Sequence, residues 1–120
     1  MKQLSAILLV LFLMGGCDDV SFVDRVVLVN STDYDVVVDV KGAEGDTWLG
    51  LGTAHRKTET VKEEVIDQGE TWIFRFSYAS ENLGEQRVSR ADLERNRWHF
   101  EIPERVGQTL KEKGYAPSIG

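Results

Sequence analysis

Thr71-Trp72-Ile73-Phe74-Arg75-Phe76-Ser77-Tyr78 is the stretch on which the fold class depends. Trp72, Phe74, Phe76 and Tyr78 occupy alternate positions, with Thr71, Ile73, Arg75 and Ser77 between them. Period two places the aromatic rings on one side of an extended chain. A side carrying so many rings is a core face, and each ring contributes roughly 1.5–3 kcal/mol when fully buried. This strand is expected to anchor the domain.

The same alternation recurs outward from it. Tyr34, Val36, Val38 and Val40 face one way, and Asp35, Val37, Asp39 and Lys41 the other. Arg25 to Val29 is rich in β-branched residues and closed by the polar cluster Asn30-Ser31-Thr32-Asp33. Gly42 to Asp46 reads as a turn, and Trp48 to Gly52 as a short strand or bend in which Gly50 and Gly52 suggest a bulge. Residues 53–60 are polar and suggest a loop. Thr58 to Ile66, with Val61 and Val65 apolar, is a further strand candidate ending at the turn Asp67-Gln68-Gly69.

Past the aromatic strand, Ala79 to Gln86 reads as a polar loop. Ser89 with Asp92 resembles a helix-capping pair and predicts a short helix over about 90–96. Trp98, Phe100 and Ile102 then alternate with Arg97, His99 and Glu101. Pro103 suits the first position of a helix carrying Val106 and Leu110 on one side, Lys111 and Lys113 near its end, and Gly114 as its cap. The sum is mainly β. We expect an antiparallel β-sandwich of roughly six to seven short strands with a short C-terminal helix. It would be immunoglobulin-like in architecture, although the Cys…Trp…Cys hallmark is absent. A small open barrel is the alternative.

The composition narrows the function. The chain has 120 residues, 42% hydrophobic and 28% charged, with a net charge of −6. That is one ordered domain, and its acidic balance argues against nucleic acid, whose binders need a basic face. A single cysteine excludes an intramolecular disulfide framework and any multi-cysteine zinc or iron–sulfur site.

That cysteine, Cys17, closes a distinct N-terminal unit. Lys2 is followed by the apolar run Leu4 to Met14, broken by Ser5, and then by Gly15-Gly16-Cys17. The run is about half of the ~20 residues a spanning helix needs and fits the apolar core of a secretory signal. With Gly15, Gly16 and Cys17 in place, and Met14 where Leu is usual, the segment resembles a bacterial lipoprotein precursor. The resemblance implies diacylglyceryl transfer to the Cys17 thiol and cleavage between Gly16 and Cys17. It implies membrane lipid as a partner through acylated Cys17, and a domain facing the periplasm or the cell exterior. Asp18, the residue after the lipidated position, resembles the inner-membrane retention signal of enteric Gram-negative bacteria. The organisation is then a signal peptide over 1–16, a lipidated cysteine and short tether over 17–24, and a β-sandwich domain over 25–120. About seven residues would separate lipid from fold, a reach of at most ~25 Å.

No constellation in the chain points to catalysis. Gly-x-Ser-x-Gly is absent, and His55 and His99 lie in different segments with no serine assigned to either. His99 and Glu101 project from one strand face and could hold a metal if His55 came near; a solvated strand face is the simpler reading. Asp33, Asp35 and Asp39 lack the glycine and terminal glutamate of a calcium loop. Glu63 and Glu64 are adjacent and point apart on a strand. Gly50-Leu51-Gly52 is followed by His55 where a dinucleotide fingerprint has glycine. Asn30-Ser31-Thr32 matches a glycosylation sequon but reads as a capped turn. Trp48, beside a glycine-rich stretch, is either core or an exposed binding aromatic. No enzyme, cofactor or metal is expected. The expectation is a non-catalytic binding or envelope-interaction module with a possible envelope protein partner. It would use an exposed sheet edge or the loops at 42–58 and 79–87. The alternatives are a small-ligand or metal site at His55, His99 and Glu101, and an enzyme with an unrecognised site.

Overall fold

The computed structural model describes residues 20–118. Among them the chain forms β1 (Phe22–Asn30), β2 (Val36–Gly42), β3 (Leu49–Ala54), β4 (Thr58–Ile66), β5 (Thr71–Tyr78) and β6 (Glu81–Ser89). Helix α1 (Arg90–Arg95), β7 (His99–Glu101) and helix α2 (Glu104–Glu112) follow. The signal segment, Gly16, Cys17, Asp18 and Asp19 lie outside the described residues.

The strands build two sheets, ordered β4-β1-β7 and β3-β2-β5-β6. Every pairing is antiparallel except β1 with β7, which is parallel. The sheets face each other across one apolar core, so the sandwich and the C-terminal helix are as expected. The likeness to immunoglobulin domains stays at the level of two facing sheets. Their order joins the first, second, fifth and fourth strands in one sheet, whereas here the first strand lies between the fourth and the seventh.

The aromatic strand anchors the core. Trp72, Phe74 and Phe76 are fully buried, as are Tyr34, Val36, Val38 and Val40 of the neighbouring segment. Phe100 of β7 stacks on Phe74 with centroids 3.8 Å apart, joining the two sheets. Val26 and Leu28 enter from β1, Leu93 from α1, and Val106 and Leu110 from α2. Tyr78, at the end of β5, is half-buried and sits edge-on between Tyr34 and Tyr115.

Three stretches differ from the sequence reading. Residues 81–89 are a strand, not a loop: Ala79 and Ser80 alone make the turn, with φ of 50° and 68°, and β6 pairs along β5. As an edge strand, β6 buries only Leu83, with Val88 partly covered, so its sequence carries no alternation to read. Residues 53–60 are the end of β3, a tight turn and the start of β4. β1 begins at Phe22 rather than Arg25, and the carbonyl of Ser21 already accepts a bond from the Asp67 N–H at 2.9 Å.

Both helices end in the same hydrogen-bond pattern. After α2, Tyr115 N–H bonds the Leu110 carbonyl and Gly114 N–H the Lys111 carbonyl, each at 3.1 Å, with Gly114 at φ 90°. After α1, Trp98 N–H bonds Leu93 and Arg97 N–H bonds Glu94, at 2.6 and 3.0 Å. This is the Schellman arrangement, which favours glycine at the left-handed position. In α1 that position is Arg97, at φ 58°, and Trp98 follows at φ 62°.

Candidate binding surface

The outer face of the β4-β1-β7 sheet takes its shape from one irregularity. Val23 and Val65 pair across β1 and β4 and are both buried. Strict alternation would then put Val26 on the outside and Val61 on the same side as Val65. Glu64, at φ 52°, breaks the ladder at Asp24 and reverses the alternation. Val26 and Leu28 therefore point into the core. Val27, paired with Val61 and with His99, points out, and so does Val29, paired with Glu59 and with Glu101.

A shallow groove of about 660 Å³ runs over this face beside α1. Phe22, Val61 and the buried Val27 give it apolar lining, Trp98 and His99 stand beside them as one wall, and Arg25 and Arg97 line it together with the carboxylates of Asp24, Glu59 and Glu94. Val61 is 49% exposed. Trp98 is half-buried, leaning on Trp72 with centroids 5.4 Å apart. Arg90 braces the wall: its guanidinium lies 5.7 Å over the Trp98 ring and pairs with Asp67 at 2.9 Å and Glu94 at 3.5 Å. Its Nε is buried without a partner. Arg25 and Arg97 form no ion pair among the described residues. The consecutive left-handed Arg97 and Trp98 hold both side chains at this wall, and such strain tends to gather where a surface is used.

The residues singled out from the sequence fall in three places. His99 and Glu101 are exposed on β7, on the grooved face, and His99 Nδ1 lies 3.1 Å from the Arg97 carbonyl. His55 is in the β3–β4 turn, its N–H on the Thr60 hydroxyl at 3.2 Å. Among the described residues no three His, Cys, Asp or Glu side chains gather around a common point, so His55, His99 and Glu101 are not brought together. Trp48 is neither core nor a free aromatic. It is half-buried, with the Arg75 guanidinium 4.0 Å and Lys41 Nζ 5.1 Å from its ring centre. Arg75 in turn pairs with Asp39 at 2.9 Å. The sequon is closed to modification by burial: Asn30 is 1% exposed, and its side chain binds neighbouring backbone.

Sequence reasoning missed Arg25, Val61 and Arg97. Their signal is positional, arising from register and from a left-handed glutamate that no propensity favours.

The clearest titration shifts belong to a clasp at the C-terminal end of the chain. The Lys113 ammonium, and next the Tyr115 hydroxyl, hold the Glu81 carboxyl below its ordinary value of 4.5. The Glu81 carboxylate raises Lys113 above 10.5 and Tyr115 above 10.0.

No family model, no curated protein and no solved structure matches this chain.

Proposed function

We propose that the chain is a membrane-anchored extracytoplasmic lipoprotein, held by acylated Cys17, whose sandwich is a non-catalytic binding module. The groove over β4-β1-β7 is its recognition surface. Supporting the anchor is the Gly15-Gly16-Cys17 segment after an apolar run. Supporting the binding role is one observation above the rest: two arginines without ion pairs, Arg25 and Arg97, share one groove with an apolar lining and a half-buried tryptophan. Cations free of internal partners beside exposed apolar surface suit an extended protein segment that carries both carboxylates and apolar side chains.

A photo-crosslinking residue placed at Val61 in host cells tests this. One discrete adduct should form at 61, weaken several-fold when Arg97→Glu is added, and be absent with the crosslinker at Val37 on the other sheet. Equal labelling at 61 and 37, or none at 61, would refute the recognition surface. The anchor is read from the same preparation by intact mass: a chain starting at Cys17 plus acyl groups, lost in Cys17→Ser.

A further inference from the structure

Val20, Phe22 and Ile66 are 57%, 59% and 39% exposed. Phe22 and Ile66 are directly opposed across β1 and β4, so their side chains share one side of the sheet. Val20 precedes Phe22 by two residues. Scattered exposed apolar residues are ordinary on protein surfaces, but an aromatic and a branched aliphatic paired face to face form a contiguous patch.

The chain outside the described residues says what covers it. Cys17 stands three residues before Val20, and the fold already begins at Ser21, whose carbonyl is tied to Asp67. Fully extended, the link from Cys17 to Val20 spans at most ~10 Å. No conformation of so short a link can carry this end of the sandwich clear of a membrane in which Cys17 is anchored.

We propose that Val20, Phe22 and Ile66 form a seat that rests in the headgroup region of the bilayer and fixes how the sandwich stands on the membrane. This rests on the lipid anchor proposed above. The lipid chains supply the attachment. The seat supplies orientation, at a local concentration so high that a contact too weak to bind a free protein suffices. Phe22 also lines one part of the groove, so the seat holds that part against the lipid, and the groove's occupant would be one that lies at the membrane surface.

The test uses the full mature protein, purified from host membranes and reconstituted in phosphatidylcholine vesicles. Once Cys17 is acylated, a Phe22→Cys variant offers one free thiol for an environment-sensitive fluorophore, and Val37→Cys is the control on the far sheet. The label at 22 should emit to the blue of the label at 37 and be quenched by lipids carrying a quencher, while 37 is not. Acylated protein with equally aqueous labels at both positions overturns the seat and leaves the anchor standing. A blue-shifted label at 22 that escapes lipid-borne quencher and reverts on dilution assigns the patch to a second copy and also overturns it. A mass without acyl groups overturns seat and anchor together.

Discussion

Asn30 ties three segments with one buried amide. Its Nδ2 donates to the carbonyls of Tyr34 and Ala54, each at 2.8 Å, and its Oδ1 accepts from the Thr32 N–H at 2.9 Å and hydroxyl at 2.7 Å. A buried polar group left without a partner costs about 1–3 kcal/mol. Asn30→Ala takes this partner from the Ala54 carbonyl and the Thr32 N–H, while the Tyr34 carbonyl keeps the Thr32 hydroxyl at 3.2 Å, so a loss of about 2 kcal/mol is expected in urea unfolding. Asn30→Asp keeps the size but turns an oxygen toward two carbonyl oxygens; it should be no more stable than the alanine variant. A loss near zero in both would mean that water replaces the amide. The sequence showed a turn here but not its burial: Asn-Ser-Thr announces local capping, while the bond to Ala54, twenty-four residues away, depends on how β1 and β3 meet. Gly42 is similar. A β-carbon there would lie 2.3 Å from the Gln68 carbonyl oxygen, which makes it a contact between distant turns, although in sequence it is one turn glycine among several.

At the scale of elements, the least suitable residues stand in the tightest connection. Ala79 and Ser80 both have positive φ, the geometry of a type I′ hairpin turn that Asn-Gly fits without strain. Replacing them with Asn-Gly should stabilise the protein by about 1 kcal/mol, seen as a higher urea midpoint with unchanged slope. A fall would show that the wild-type side chains make contacts that outweigh the strain. This mismatch also explains why residues 79–86 read as a loop. The turn lacks its usual residues, and β6, on the sheet edge, lacks an alternating face. The helices were legible because their caps are conventional: Ser89 accepts from the Asp92 N–H at 3.0 Å, and Gly114 ends α2. The two interior strands of the larger sheet were legible because both carry unbroken apolar alternation. β1 and β4 were legible as strands but not as faces, since Glu64 reverses the alternation midway. The groove depends on that reversal, and no periodicity count would have found it.

For the molecule as a whole, the sandwich is closed by its C-terminal segment. The Tyr115 hydroxyl donates to Glu81 at 3.0 Å, Lys113 pairs with the same carboxylate, and the Tyr34 hydroxyl donates to the Tyr115 carbonyl at 2.9 Å. Ser118 bonds the Asp33 carbonyl and, through its hydroxyl, the Asp35 N–H, each at 2.9 Å. The segment thus ties the β5–β6 hairpin to the turn between β1 and β2, and its grip should depend on pH. Because the fold lowers the pKa of Glu81, the stabilisation is full above the ordinary 4.5 and fades as pH falls through the lower folded value. Lys113 and Tyr115 are raised, so their share is full below 10.5 and 10.0 respectively and fades as pH rises through the folded values. All three groups are solvent-accessible, so salt should weaken the clasp as well. Backbone ¹⁵N relaxation at Tyr115 and Ser118 should report new motion at both pH extremes, while Phe74 and Phe100 in the core stay rigid. Glu81→Gln should abolish the acid-side change and leave a looser segment at neutral pH. If Tyr115 stayed rigid from acid to alkali in the wild type, the packing of its ring on Tyr78 would be what holds the segment, with the charges as bystanders.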